Sequence, residues 1–137
     1  MQKHKLADCV LVKNDEYWLP YALESIAGVF PRVVLYDVGS TDRTKEIIEW
    51  WVEKERDKTS IFTRYLPDCP PIVQGAFRNS MIAECDSDIY FLLDGDEVYS
   101  REDIEKIPTL VNHLRIDNLR DPRKKYGLIV TGKHLAQ

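Results

Sequence analysis

The chain has 137 residues, 44% of them hydrophobic, and its 19 basic residues against 23 acidic ones leave a formal net charge of -4. This length supports one domain with its own core rather than two, and the acidic balance excludes the broad basic footprint of a nucleic-acid binder. No apolar run approaches the roughly 18 residues needed to span a bilayer, so no transmembrane segment is expected, and the polar start from Met1 to Lys5 does not read as a signal peptide; the expected location is cytoplasmic.

Asp8 to Lys13 carries the run Cys9-Val10-Leu11-Val12, short and branched like a strand buried on both faces. From Glu16 to Phe30, Leu19, Ala22, Leu23, Ile26, Ala27 and Phe30 recur at helical spacing, with Asn14 or Asp15 available as the cap. Arg32 to Asp37 is a second buried strand that runs into the turn and cap residues Gly39-Ser40-Thr41-Asp42, followed by a helix through Ile47, Ile48 and Trp51. Ser60 to Leu66 reads as a third strand, Pro67 to Pro71 as a loop, and Gln74 to Glu84 as a helix with Ala76, Phe77, Ile82 and Ala83 turned inward.

Asp88 to Leu93 is a fourth strand ending in Asp94-Gly95-Asp96-Glu97. Ser100 and Asp103 then open, in the manner of a capping box, a helix bearing Ile104, Ile107, Val111 and Leu114. Pro108 predicts a break or restart there, because proline inside a helix costs about 3 kcal/mol. Arg120 to Lys125 reads as a solvated loop and Tyr126 to Thr131 as a closing strand. Cys9, Cys69 and Cys85 are too widely spaced for a zinc site or redox pair and read as buried or incidental thiols of a reducing compartment. The alternation of buried strands with helices predicts an α/β fold, a mostly parallel sheet with helices on both faces.

Such sheets bind ligands at the carboxyl ends of their strands, and three polar clusters stand there: Asn14-Asp15-Glu16, Asp37 to Asp42, and Asp94 to Glu97. Asp94 and Asp96 flank a glycine, so both carboxylates can turn toward one point. Two carboxylates suit magnesium or manganese, which completes its shell with water and ligand phosphates; the competing reading is an acidic turn that caps the next helix. Asp37 either accepts hydrogen bonds from a base or ribose or shapes its own turn, while Ser40, Thr41 and Asp42 read first as helix-start residues. Arg78 either neutralises a diphosphate or is an ordinary surface arginine. His4, His113 and His134 form no ligand pattern, and Trp50 and Trp51 read as a helix packed on a sheet rather than a sugar platform.

In order and spacing these residues resemble the family 2 glycosyltransferases, over about residues 8 to 100. The matching parts are Val12-Lys13-Asn14-Asp15-Glu16 followed by Leu19 and Ser25, Asp37-Val38-Gly39-Ser40-Thr41-Asp42-Arg43-Thr44, the Arg78-Asn79 pair, and Asp94-Gly95-Asp96-Glu97 after Ile89 to Leu93. The resemblance implies the GT-A fold, Rossmann-like and here truncated, and an inverting transfer of sugar from a nucleoside diphosphate, uridine-based, to an unknown acceptor. By the same resemblance Leu11 to Lys13 line the nucleotide pocket, Asp37 meets the base, and Arg78 lies near the base or diphosphate. Asp94 and Asp96 correspond to the DXD motif that contacts the ribose and a Mn2+ or Mg2+ ion, with Asp96 the direct ligand.

Two departures shape the expectation. Val38 stands where many members have a second acid, and no side chain from Tyr99 to Gln137 fits the family's general base. Residues 1–137 therefore read as a single nucleotide-sugar-binding domain with the acceptor-binding part largely absent: a fragment, or a chain completed by a homo-oligomer or a partner chain. The competing functions are a non-catalytic sugar-nucleotide-binding module and a haloacid-dehalogenase-like phosphatase using Asp94 as nucleophile, for which too little chain follows. A nucleotidyltransferase would need a glycine-rich basic loop where the acidic Asn14-Asp15-Glu16 stands.

Overall fold

A strand that is apolar on both faces must be covered on both, and the chain meets this requirement with a three-layer arrangement. The computed structural model describes residues 5–68, 70–113 and 126–128. Among them β1 (Leu6–Val12), β2 (Arg32–Val38), β3 (Ser60–Leu66), β4 (Ile89–Asp94) and β5 (Tyr126–Leu128) form one sheet in the order β3-β2-β1-β4-β5. All four pairings are parallel. The helices are α1 (Leu19–Ile26), α2 (Thr44–Glu55), α3 (Pro71–Glu84), α4 (Arg101–Ile104) and α5 (Lys106–Asn112).

Successive side chains of a strand point to opposite faces, and β1 divides accordingly. Leu6, Val10 and Val12 join Leu19, Leu23 and Ile26 of α1, Ile48 and Trp51 of α2, and Ile104, Ile107 and Val111 of α4 and α5 in one cluster. Ala7, Cys9 and Leu11 pack on the other face with Val34, Tyr36 and Val38 of β2 and Met81 and Cys85 at the end of α3. Cys9 and Cys85 are buried and form no disulfide among the described residues; Cys69 lies outside the described residues. Among the described residues no helix is long and apolar enough to cross a membrane.

The chain travels outward from β1 to β3 and then returns to the other side of β1 as β4. This reversal is a topological switch point, and it opens a crevice at the carboxyl ends of β1 and β4. The strand ends that carry the polar clusters are thereby neighbours.

Several local expectations need correction. The first helix ends at Ile26, although Phe30 beyond it is buried against Phe91, with ring centroids 5.5 Å apart. Its cap is neither Asn14 nor Asp15: both side chains are engaged in the adjoining loops, the N-cap position is Trp18, and Pro20 sits in the first turn, where a missing N–H is harmless. In α3 the inward residue is Met81, while Ala76 and Ala83 are exposed and Phe77 and Ile82 only half-buried, because the face that meets the sheet runs through Phe77, Met81 and Cys85. The predicted break around Pro108 falls at Glu105, between α4 and α5, and Pro108 lies in the first turn of α5, where the helix needs no N–H from it. Ser100 does cap α4, its hydroxyl accepting from the Asp103 N–H at 3.1 Å. Trp51 is buried as expected, but Trp50 is 53% exposed. The expectations for Leu114, for 120–125 and for 129–131 lie outside the described residues.

β1 also begins three residues earlier than the apolar run, which puts Asp8 inside the central strand. Its register partners are Val33 and Phe91, both members of the apolar cluster around α1. Asp8 is fully buried, and among the described residues neither carboxylate oxygen has a hydrogen-bond partner. Burial foremost, then nearby Cys85 and Glu97, push its pKa well above the ordinary carboxylate value, against a smaller opposing effect of the Cys9 amide.

Candidate functional site

The loops after β1 and β2 are stitched together by short polar side chains. Asn14 adopts a left-handed conformation, φ 52°, which asparagine tolerates better than most residues. Its N–H donates to Ser40 Oγ at 2.9 Å, and its Oδ1 accepts from the Thr41 N–H at 2.8 Å. The Asp15 N–H donates to Thr44 Oγ1 at 2.9 Å, and the Glu16 N–H to Asp42 Oδ2 at 3.2 Å. Asp42 Oδ1 also accepts from the Thr44 N–H at 2.9 Å and so covers one open donor of α2. Burial alone would raise the Asp42 pKa, but the hydrogen bonds from Thr44 and from the Glu16 N–H outweigh it and the carboxyl is lowered. Of the three residues expected to cap α2, then, Asp42 does so, whereas Ser40 and Thr41 act across the two loops.

Asp37 lies at the root of this stitching. Its side chain is buried, and Oδ1 accepts from both the N–H and the hydroxyl of Ser40, at 3.0 and 2.6 Å. Next to it Gly39 has φ 88°, and a Cβ built there would stand 2.4 Å from the Cα of Asp68 in the loop after β3. Lys13 Nζ contacts Asp68 Oδ1 at 2.5 Å, so three strand ends converge around Asp37. Gly39→Ala is expected to destabilise the chain by about 1–3 kcal/mol through backbone strain alone, with more from the collision with Asp68. Urea unfolding checks this, and a variant as stable as the parent would refute it.

At the end of β4 the chain turns tightly: the Asp94 N–H donates to Glu97 Oε1 at 2.9 Å, and the Glu97 N–H returns to the Asp94 carbonyl at 3.0 Å. Glu97 is thus the turn's own clasp. Arg78, projecting from α3, donates through NH2 to Asp94 Oδ1 at 3.1 Å, an ion pair open to solvent on both sides. Asp94 is half-buried and Asp96 exposed. A Cβ on Gly95 would lie 2.5 Å from Asp15 Oδ2 and 2.7 Å from Val12 Cγ1, so only glycine lets this turn pack on the loop after β1.

Asp15 is the site residue that sequence reasoning misplaced. Burial raises its pKa first, and the carboxylates of Asp96, Asp42 and Asp94 raise it further, against the Lys13 N–H, which lowers it. Spacing along the chain gave no sign of this contact, because it depends on β1 and β4 being neighbours. Tyr65 was likewise missed: it is the register partner of Asp37 on β3, with a phenol pushed upward by burial, then by Glu49 and Asp37.

The structure thus brings Leu11, Lys13, Asp37, Arg78, Asp94 and Asp96 to one edge of the sheet. The donor set at Asp94 and Asp96 fits a hard divalent cation in an electrostatically crowded acidic corner that a cation would relieve. Among the described residues no group of three or more His, Cys, Asp or Glu forms a closed cage, so a cation held here would take further ligands from water or phosphate.

The model of glycosyl transferase family 2 matches residues 9–127. A search of curated proteins finds no match. Among solved structures, S. aureus TarS residues 1–349 superimposes with a TM-score of 0.63 at 24% identity, covering 83% of this chain and 32% of that one. The same TarS fragment in complex with UDP-GlcNAc gives 0.61 at 24% identity, covering 83% and 31%. The mannosyltransferase PcManGT from Pyrobaculum calidifontis, in complex with GDP-Man and Mn2+, gives 0.66 at 19% identity, covering 87% and 33%. These likenesses show the shared GT-A fold, and the chain spans about a third of the length of each of these structures.

Proposed function

Because the chain belongs to glycosyl transferase family 2, we propose that it binds a nucleoside-diphosphate sugar, uridine-based, together with Mn2+ or Mg2+ at the carboxyl edge of its sheet, as the donor-binding part of an inverting glycosyltransferase. The observation that carries this reading is the register of the three central strands. Leu11 pairs with Asp94 on one side and Tyr36 on the other, and the next residue, Val12, pairs with Asp37. An acid for the base and an acid for the metal therefore stand about 10 Å apart across two strand spacings, the reach from a base to its diphosphate, with Leu11 and Lys13 between them.

Asp37 Oδ1 is committed to Ser40, which fixes the carboxylate and leaves Oδ2 as the oxygen that would accept from a base N–H. Leu11, 7% exposed, supplies apolar wall beside it. Asp94 and Asp96 would hold the cation, which would supply Lewis-acid stabilisation of charge on a departing diphosphate. Arg78 waits on Asp94 and is positioned to add charge-assisted hydrogen bonds to the diphosphate. Positioning of the acceptor and removal of its proton fall to structure outside the described residues, in this chain or in a partner chain.

Calorimetry with UDP and with GDP, in Mn2+ and then in chelator, tests this. UDP is expected to bind only with the metal present; metal-independent binding, or no binding of either nucleotide, would refute the reading. Slow release of sugar from a UDP-sugar in the same preparation separates a working donor site from an inert binding module.

A further inference from the structure

We propose that Arg78 and a divalent cation compete for the Asp94 carboxylate, so that the guanidinium is latched away from the diphosphate until the cation takes its place. The inference rests on the donor-site reading above and adds to it an order of events at the same site. Asp94 closes β4, four residues after Tyr90, which packs in the cluster on the α3 face. Side chains alternate along a strand, so Asp94 faces α3 as well, beside its register partner Leu11. In α3, Phe77 and Met81 meet the sheet, and Arg78 stands on the flank of that face with NH2 3.1 Å from Asp94 Oδ1.

The pair has the properties of a latch rather than of a fixed brace. It is made through one guanidinium nitrogen and one carboxylate oxygen, not the two-pronged contact that would lock both side chains. Among the described residues Arg78 makes no other hydrogen bond or ion pair, and Asp94 Oδ2 accepts none. The two side chains are 39% and 50% exposed, and an ion pair so open to water is worth a factor of only about 2–5 in an equilibrium. A dication at the same carboxylate carries twice the charge and meets Asp96 as well, with Asp15 packed against Gly95 between the two acids. Gly75, one turn earlier on the same side of α3, has open space where a Cβ would stand, which leaves the guanidinium room to swing.

The exchange couples cation and nucleotide. While Arg78 is held on Asp94, a diphosphate arriving without a cation meets the acids of this corner and finds the guanidinium already engaged. Once Asp94 turns to the cation, Arg78 trades a carboxylate oxygen for a phosphate oxygen, one charge-assisted contact for another. Each ligand thereby raises the affinity for the other, by the same factor in both directions. A fixed brace leads to the opposite forecast for the cation: if Arg78 served only to orient Asp94, its removal would weaken cation binding.

The test titrates Mn2+ alone into the full chain, followed by the electron paramagnetic signal of the free ion, and measures UDP binding in Mn2+ and thermal unfolding on the same preparations. Arg78→Ala and Arg78→Gln are expected to bind Mn2+ alone about 2–5-fold more tightly than the parent, the factor such an ion pair is worth. The same two variants should bind UDP in Mn2+ at least about 10-fold more weakly, as the loss of a hydrogen bond to a charged group requires. Arg78→Lys, which keeps the charge, should bind Mn2+ alone as the parent does and lose less of the UDP binding. All three should unfold at nearly the parent temperature, because the pair is exposed. The proposal is overturned if Arg78→Ala and Arg78→Gln bind Mn2+ alone no more tightly than the parent, or if their UDP binding in Mn2+ is undiminished. Failure of UDP to bind the parent chain in Mn2+ would count against the donor-site reading alone, because the Mn2+ titration scores the competition for Asp94 without nucleotide.

Discussion

Asp96→Ala is expected to weaken UDP binding in Mn2+ about 100-fold, the upper end of what disturbed metal sites lose, to the level of the parent chain in chelator. The two acids of the turn differ in their commitments. Asp94 has one oxygen on Arg78 and its backbone clasped by Glu97, whereas Asp96 is exposed and forms no hydrogen bond or ion pair among the described residues. The first carboxylate is thus positioned by the protein, and the second is the one free to close on a cation. Removing it also relieves the repulsion that raises Asp15, so folding should be unharmed and the loss specific to binding. Calorimetry with thermal unfolding as control checks this, and undiminished metal-dependent binding in Asp96→Ala would remove Asp96 from the metal site.

Asp8→Val is expected to stabilise the chain by about 1–3 kcal/mol at neutral pH, the range for a buried polar group without a partner. The sign of the pH dependence follows from the direction of the shift. The folded state holds the Asp8 proton above the pKa of the unfolded chain, about 3.9, so its carboxyl favours folding least at high pH. As pH rises past that value, unfolded chains release the proton while folded ones keep it, and stability falls by up to about 1.4 kcal/mol per pH unit until the folded pKa is passed. Asp8→Val should abolish this slope and gain stability. Asp8→Asn should abolish the slope too, but without the full gain, because an amide is still left unsatisfied. Urea unfolding across the acid-to-neutral range measures all three, and a steep Asp8-dependent slope of the opposite sign would show that the carboxylate is ionised and partnered in the folded chain.

Asp8 also marks a limit of reading by pattern. The run Cys9 to Val12 announces a buried strand, but an aspartate before it looks like a boundary, and only pairing with β4 and β2 carries the strand back to Leu6 and Asp8 into the interior. The same holds for α3, whose composition pointed to the wrong face: Ala76 and Ala83 are apolar but small, and what the sheet accepts is the larger Phe77-Met81 ridge. Trp50 and Trp51 are adjacent and chemically identical, and only the helical spacing from Ile47 and Ile48 marks Trp51 as the one that fills the core, while Trp50 stays half-exposed.

The sequence by itself determined the type and order of the elements, because a buried parallel strand and an amphipathic helix each leave a periodic apolar signature within a few residues. It also determined that polar clusters follow the strands, which is where an α/β sheet binds ligands. Tertiary structure alone decided how those clusters meet. Strand order 3-2-1-4-5 sets the Asp94 turn against Asp15, draws Asp68 to Gly39 and Lys13, and turns Ser40 and Thr41 from capping residues into staples between two loops. Those contacts join residues far apart in the chain, and a hydrogen bond between two loops leaves no periodic trace in either one.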